Sequence, residues 1–249
     1  LGESIHCAAI APAVSCARRW PVISIEAARD GFVVSVGGQR LLVHGRRSPC
    51  IEIGRAEISF HRGRGGLCAR RKRSSWLSLR DFSVITNGPE LTVIEFGGIL
   101  RMSFHREEEL LRLGFECSDP SWNLFRIRLQ AQAGEHIYGL GEGGAPLDLK
   151  GRSKALWVAE KGRLHGGRGG RLAAQFRPGA SGEKGFALPI PAFVSSRNYW
   201  CALDSPAWSV FDFRRRSTTT IETWTLPSSI IVGSRPTAPE TVRELRRVL

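Results

Sequence analysis

The chain has 249 residues, enough to bury a full core as one large domain or two small ones. Hydrophobic residues make up 42% and charged residues 24%, which excludes wholesale disorder, and no apolar run approaches the ~18–20 residues that cross a bilayer as a helix. The formal charge of +13 points either to an anionic partner (nucleic acid, a membrane surface or an acidic substrate) or to an Arg-rich composition balanced elsewhere in a longer protein.

With 28 Gly and 13 Pro, the sequence is punctuated as many short strands joined by turns rather than as a helical bundle. Residues 1–22 show no period and read as an unassigned leader. Within it Cys7–Ala17 is mildly apolar, like a signal-peptide core, but the chain begins with Leu and no basic segment precedes that stretch. The six cysteines (Cys7, Cys16, Cys50, Cys68, Cys117 and Cys201) show no C-x-x-C and no His at a ligand spacing. Neither a metal site nor a disulfide framework is expected, and incidental thiols fit a reducing, cytoplasmic setting.

Alternation begins at Gly31. Phe32, Val34 and Val36 lead to Gly37-Gly38, then Leu41 and Val43 follow, which predicts a β-hairpin closed by a Gly-Gly turn. Further strands are expected over 51–53, 57–60, 75–79, 82–86, 91–96, 99–104 and 110–116, with Asn87-Gly88-Pro89 and Gly97-Gly98 as turns. Over 124–129, Phe125, Ile127 and Leu129 face one way while Arg126 and Arg128 face the other. The second half repeats the style over 155–158, 172–176, 192–194, 199–203, 208–213, 218–226 and 230–232. This is the pattern of a large all-β sandwich spanning 23–236. No internal repeat is visible.

Two stretches break the pattern. Residues 62–73 (RGRGGLCARRKR) and 163–171 (RLHGGRGGR) are rich in Arg and Gly. They suit either basic arms that grip RNA or solvated loops of a sandwich; neither interleaves the aromatic rings that an RNA-stacking sheet displays. Only the C-terminus turns helical. Thr237-Ala238-Pro239-Glu240 has the form of a capping box, and Val242, Leu245, Val248 and Leu249 mark an apolar face. A helix over 237–249 that ends with its face unburied predicts that the sequence continues in a longer protein.

The densest cluster of distinctive residues is 136–157, HIYGLGEGGAPLDLKGRSKALW, a Gly-rich elbow carrying Glu142, Asp148, Lys150 and Arg152 between two apolar runs. Gly139 and Gly141 allow a sharp turn through positive φ. Asp148 is expected to pair locally with Lys150 or Arg152 and so fix the elbow. Trp157 and Tyr199 are aromatic platforms for a sugar ring, or core residues.

The string GEHIYGLGE, followed by LDLKGR and then by Trp157 and Glu160 in a W-x-x-E-x-G pattern, resembles glycoside hydrolase family 31, and most closely its bacterial sulfoquinovosidases. So does the block PAFVSSRNYWCALDSPAWSVFDF at 191–213, and more weakly QRLLVHGRRSPCIEIG at 39–54. The resemblance implies a galactose mutarotase-like β-sandwich standing ahead of a (β/α)8 catalytic barrel, with the 237–249 helix leading into that barrel. It implies a retaining α-glycosidase of α-glucosidase or sulfoquinovosidase type, without a cofactor, acting on a carbohydrate substrate held by the barrel. Glu142, Asp148, Arg152, Trp157 and Glu160 become supports of the substrate cleft. No catalytic residue is assigned, because the family's two catalytic aspartates lie in barrel motifs that this sequence does not contain. Gly143-Gly144 and the loop after Glu160 depart from the family pattern and leave the sugar open. Nucleic acid and membrane are not expected partners, and oligomeric state is left open. The alternatives that stay open are a noncatalytic carbohydrate-binding sandwich and a basic RNA-binding protein.

Overall fold

The computed structural model describes residues 23–63, 66–107, 109–142, 146–156 and 188–249, with no account of the side chains of 61–69. Expectations at 1–22, 163–171 and 172–176, and at Trp157, Glu160 and the Gly143-Gly144 pair, fall outside these residues. The described residues form seventeen strands and one helix. Strands β1 (Ile23–Ala28), β2 (Gly31–Val36) and β3 (Gln39–Gly45) make a small antiparallel sheet. A six-stranded sheet contains β4 (Ile51–Gly63), β5 (Gly66–Ser78), β10 (Leu124–Gln130), β12 (Ser153–Leu156), β15 (Ser209–Asp212) and β16 (Thr218–Thr223). Its order is β12-β15-β16-β10-β4-β5.

The third sheet has eight strands: β6 (Ser83–Asn87), β7 (Leu91–Phe96), β8 (Leu100–Glu107), β9 (Leu110–Cys117), β11 (Ile137–Glu142), β13 (Leu188–Ser195), β14 (Tyr199–Asp204) and β17 (Ser229–Ser234). They run in the order β11-β13-β14-β17-β9-β8-β7-β6. The two large sheets face each other across one core, as period-two burial requires. Phe115 of β9 lies 4.7 Å from Phe125 of β10, and Phe193 of β13 lies 6.1 Å from Phe211 of β15. Phe32 brings the small sheet onto this core, in contact with Phe82, Phe96 and Phe104. The expected large all-β sandwich with one C-terminal helix is what forms.

The local expectations hold where alternation is clean. Residues 31–36 bury every second side chain, and Gly37 and Gly38 turn with φ of 61° and 76°. Corrections fall where charge or glycine hides the pattern. A strand forms at Ile23–Ala28, before the expected start of alternation, because it pairs along β2. The 51–53 and 57–60 segments are one strand, interrupted only by a bulge. The described residues of the Arg/Gly-rich 62–73 stretch, 62–63 and 66–73, form neither a loop nor a free arm. They lie in the β4–β5 hairpin, where backbone pairing from Glu52↔Ser78 to Gly63↔Gly66 outweighs the low strand propensity of their glycines.

At the C-terminus, helix α1 (Ala238–Val248) forms, but the capping box does not. The Thr237 hydroxyl donates to the Glu240 carboxylate at 2.8 Å instead of receiving a backbone N–H. The helix docks through a polar contact as much as an apolar one. Glu244 is buried, accepting from Trp200 Nε1 at 2.8 Å and pairing with Arg235 at 2.6 Å, while Leu245 and Val248 pack on the Trp200 and Ile231 cluster. Val242 and Leu249 stay exposed.

Candidate functional site

The elbow starts as an edge strand, β11, rather than as a turn. It pairs with β13 from Ile137↔Ser195 to Glu142↔Leu188, with an irregularity between Gly139 and Gly141. Three successive residues there take positive φ: Gly139 at 131°, Leu140 at 64° and Gly141 at 91°. A Cβ on Gly141 would sit 2.0 Å from the Leu188 carbonyl oxygen, so only glycine fits. Leucine in this region costs about 1–2 kcal/mol, and full burial of Leu140 in the core offsets it with about 1.5–3 kcal/mol. The kink is thus held by packing, and it delivers Glu142 to an exposed strand end.

The residue that anchors the elbow is Glu135, which the sequence reading passed over. Its side chain is fully buried. Oε1 accepts from the Ser195 hydroxyl at 2.5 Å and from the Tyr199 hydroxyl at 2.9 Å, while Oε2 accepts from the Gln132 N–H at 3.0 Å. Lys150 Nζ and an Arg197 Nη1 stand 3.9 and 4.0 Å from Oε2. A lone buried carboxylate would be prohibitively costly; three donors and two cations make this one stable. The cluster ties three segments together: the elbow entrance, the loop carrying Lys150, and the β13–β14 turn. Tyr199 is therefore no sugar platform. It is wholly buried against Phe193, and burial together with the Glu135 charge pushes its phenol well above the usual range.

Asp148 does not pair with Lys150 or Arg152 as expected. Its Oδ2 sits 2.7 Å from His136 Nδ1, and its Oδ1 accepts the N–H groups of Ile137 at 3.1 Å and Lys150 at 2.9 Å. Desolvation pulls the carboxyl upward, but the His136 contact and the two backbone donors together hold it below the ordinary aspartate value. Lys150 contributes its backbone here and sends its ammonium to Glu135 instead. Arg152 is exposed, its backbone pairing with Phe213 and Leu149. Of the five expected cleft supports, the structure places Glu142 at the end of β11, and Asp148 and Arg152 in the segment leading to β12. Trp157 and Glu160 lie outside the described residues.

Beside this elbow is an open cleft of about 390 Å³ lined by Glu135, His136, Asp148, Lys150, Arg214 and Arg216, with backbone from 133–134 and Gly151. Glu135 could not be found by motif, since no period marks a buried carboxylate before a strand. A hint was available in the Ser195-x-x-x-Tyr199 spacing across a tight turn, which sets two hydroxyls side by side.

The other acidic cluster lies on the outer face of the six-stranded sheet. Glu52 accepts from Arg126, Arg128 and Ser78, and Glu222 accepts from Arg126 and Arg71. A glycosidase acid must hold its proton near neutrality, which requires a raised pKa. The pKa of Glu52 moves the other way: burial raises it, but the Arg128 and Arg126 contacts prevail and lower it. Glu52 is thus held as an anion among its cations. A second pair, Cys50 Sγ 3.7 Å from His44 Nδ1, resembles a nucleophile–base dyad. Both groups are buried; desolvation pushes the thiol to about 12 and lowers the imidazole, so neither ionises near neutrality. Among the described residues no cluster of His, Cys, Asp and Glu is arranged to hold a metal, and no helix is long and apolar enough to cross a membrane.

No family model matches the chain. It is 29% identical over 211 residues to the sulfoquinovosidase of Agrobacterium fabrum, an alignment covering 82% of this chain and 31% of that protein. It is 28% identical over 195 residues to the sulfoquinovosidase of Escherichia coli, covering 74% of this chain and 28% of the relative. Among solved structures, it superposes on a GH31 family sulfoquinovosidase from E. rectale, in complex with an aza-sugar inhibitor, with a TM-score of 0.76. That match has 24% identity and covers 90% of this chain and 34% of the other. The chain thus spans about a third of the length of the relatives it matches.

Proposed function

We propose, from the resemblance to family 31 that both comparisons bear out, that this sandwich is the N-terminal domain of a retaining α-glycosidase acting on a sulfoquinovose- or glucose-like α-glycoside. In this reading residues 23–236 are the sandwich, and α1 is the start of a connection to a catalytic barrel. The sandwich supports the substrate cleft while carboxylates elsewhere in the parent protein perform the reaction, and the setting is cytoplasmic. The observation that carries the reading is the coincidence of two things. The likeness to two sulfoquinovosidases extends over 82% and 74% of this chain, and the elbow motif that anchors it is built around an interlocked Glu135 cluster rather than an exposed reactive pair.

Retaining hydrolysis needs two carboxyl groups about 5–5.5 Å apart, one of them protonated. Glu52 shares Arg126 with Glu222 and, held below the ordinary glutamate value, does not supply the protonated member. Incubation of the 249-residue chain with a chromogenic α-glucoside and α-sulfoquinovoside is expected to give no turnover. Turnover abolished by replacing an Asp or Glu of this chain would overturn the reading. A noncatalytic sugar-binding sandwich is the second reading, but burial of Tyr199 removes one of its two platforms.

A further inference from the structure

The cleft beside the elbow has an unequal supply of donors and acceptors. Its acceptors are committed. Glu135 takes three hydrogen bonds, and Asp148 takes His136 and two backbone N–H groups. Asp212, at the base of the 212–216 turn, accepts the Arg214 N–H at 3.0 Å, Nε at 2.9 Å and an Nη2 at 2.6 Å. Its donors are only partly committed. Arg216 lines the cleft and makes no hydrogen bond or ion pair with any described residue, and Arg214 keeps Nη1 unused. Among the residues that line the cleft, Lys150, Arg214 and Arg216 stand against Glu135 and Asp148, an excess of one positive charge.

From this imbalance we infer that the cleft between the elbow and the 214–216 turn is a binding site for a small oxyanion group, held chiefly by the guanidinium of Arg216 with Nη1 of Arg214. A guanidinium presents paired N–H donors that match two oxygens of a phosphate, sulfate or carboxylate. Asp212 orients Arg214 through its bidentate contact, so its remaining donor is fixed in space. The volume of about 390 Å³ falls within the ~300–1,000 Å³ range of small-molecule sites and exceeds what a bare tetrahedral anion fills. The site takes the anion free or carried on a sugar-sized body. A neutral sugar would find few open acceptors for its hydroxyl protons. The inference concerns this chain's own cleft and stands whether or not the parent protein is a glycosidase.

The test is titration of the 249-residue chain with inorganic phosphate, inorganic sulfate, glucose 6-phosphate and glucose at 0.15 M salt, followed by backbone amide NMR. The anions are expected to saturate, with shifts confined to 133–136, 148–151 and 212–216, and glucose to produce none. Whichever of inorganic phosphate and glucose 6-phosphate binds more tightly identifies the source of the group. Arg216→Ala is expected to weaken anion binding at least tenfold, and Arg247→Ala, on the far part of α1, to leave it unchanged. Absence of saturation, equal shifts with glucose, or equal weakening by both substitutions would overturn the site, the last by assigning the binding to the diffuse positive field. Arg216 is an exposed turn residue, and an unchanged amide spectrum of the free variant shows that the fold survives.

Discussion

The Glu135 cluster and the Arg126 network are built from the same groups in opposite arrangement. At the elbow one carboxylate is fully buried, and cations gather around it at 3.9 and 4.0 Å, with neutral hydroxyls closer in. On the six-stranded sheet one guanidinium is central, stacked 3.9 Å from the Trp76 ring and bonded at 2.7 Å to both Glu52 and Glu222. Arg126 keeps 23% of its side-chain surface in water, and Glu135 keeps none. The difference lies in what each cluster can fall back on. Solvent can replace a lost partner on the sheet face; nothing can replace it at the elbow.

The sharpest way to break this comparison is Glu135→Ala. It removes the carboxylate and leaves Lys150 and Arg197 as enclosed cations beside two stranded hydroxyls. Breaking a buried pair from one side costs about 3–5 kcal/mol. Urea unfolding followed by tryptophan fluorescence is expected to show an unfolding free energy lowered by that amount, with an earlier midpoint. Amide exchange should quicken first across 135–142 and 148–152, the segments the cluster ties down. A cost below about 1 kcal/mol, the ordinary value of a surface pair, would mean that the cluster does not hold the elbow.

How much of this was legible in the sequence divides along the same line. Sheet positions such as 31–36, 91–96 and 124–129 were readable because burial on one face imposes a period of two, and the core confirms it residue by residue. The network could be half seen, since Arg126 and Arg128 were placed on the face opposite Phe125 and Ile127; Glu222, the partner of Arg126, lies 96 residues from it, and no local rule links them. The elbow's glycines announced their positive φ, but its chemistry stayed hidden. Asp148 was matched with neighbours two and four residues away, whereas the fold gives it His136, twelve residues back. Glu135 itself carried no local signal, and only the Ser195-x-x-x-Tyr199 spacing hinted at a partner for two hydroxyls. Long-range polar partners are fixed by sheet topology, and a carboxylate has the same letter whether it is solvated or enclosed.

A smaller effect sharpens the other half of the comparison. Arg126→Met keeps most of the contact with Trp76 and removes the charge-assisted hydrogen bonds to Glu52 and Glu222, worth about 1–3 kcal/mol where the groups are partly buried. The loss should depend on pH with a defined sign. Despite its burial, Glu52 is held below the ordinary glutamate value by Arg128 and Arg126, so its folded pKa is depressed. Its contribution is present above the unfolded value of about 4.5 and is lost as pH falls through the folded one. The stability gap between wild type and Arg126→Met, measured by urea unfolding at pH 7 and pH 3.5, is expected to narrow at the lower pH. A constant gap would show that the Arg126 contact with Glu52 does not account for the loss.

The same chemistry at full exposure sets the lower limit. Arg73 bonds Glu57 at 2.9 Å with good geometry, yet their side chains keep 83% and 59% of their surface in water. Distance alone would rank this contact close to Arg126–Glu222 at 2.7 Å. Solvation ranks it last, because each charge is already hydrated and ordering two long side chains takes back the Coulomb gain. Glu57→Ala is therefore expected to shift stability by about 0–1 kcal/mol, and by less in 0.5 M salt, where the screening length has shortened. A cost comparable to that of Arg126→Met would show that the Arg-rich end of the β4–β5 hairpin is covered in solution. It would then have to be described as an interface and not as a solvated ribbon.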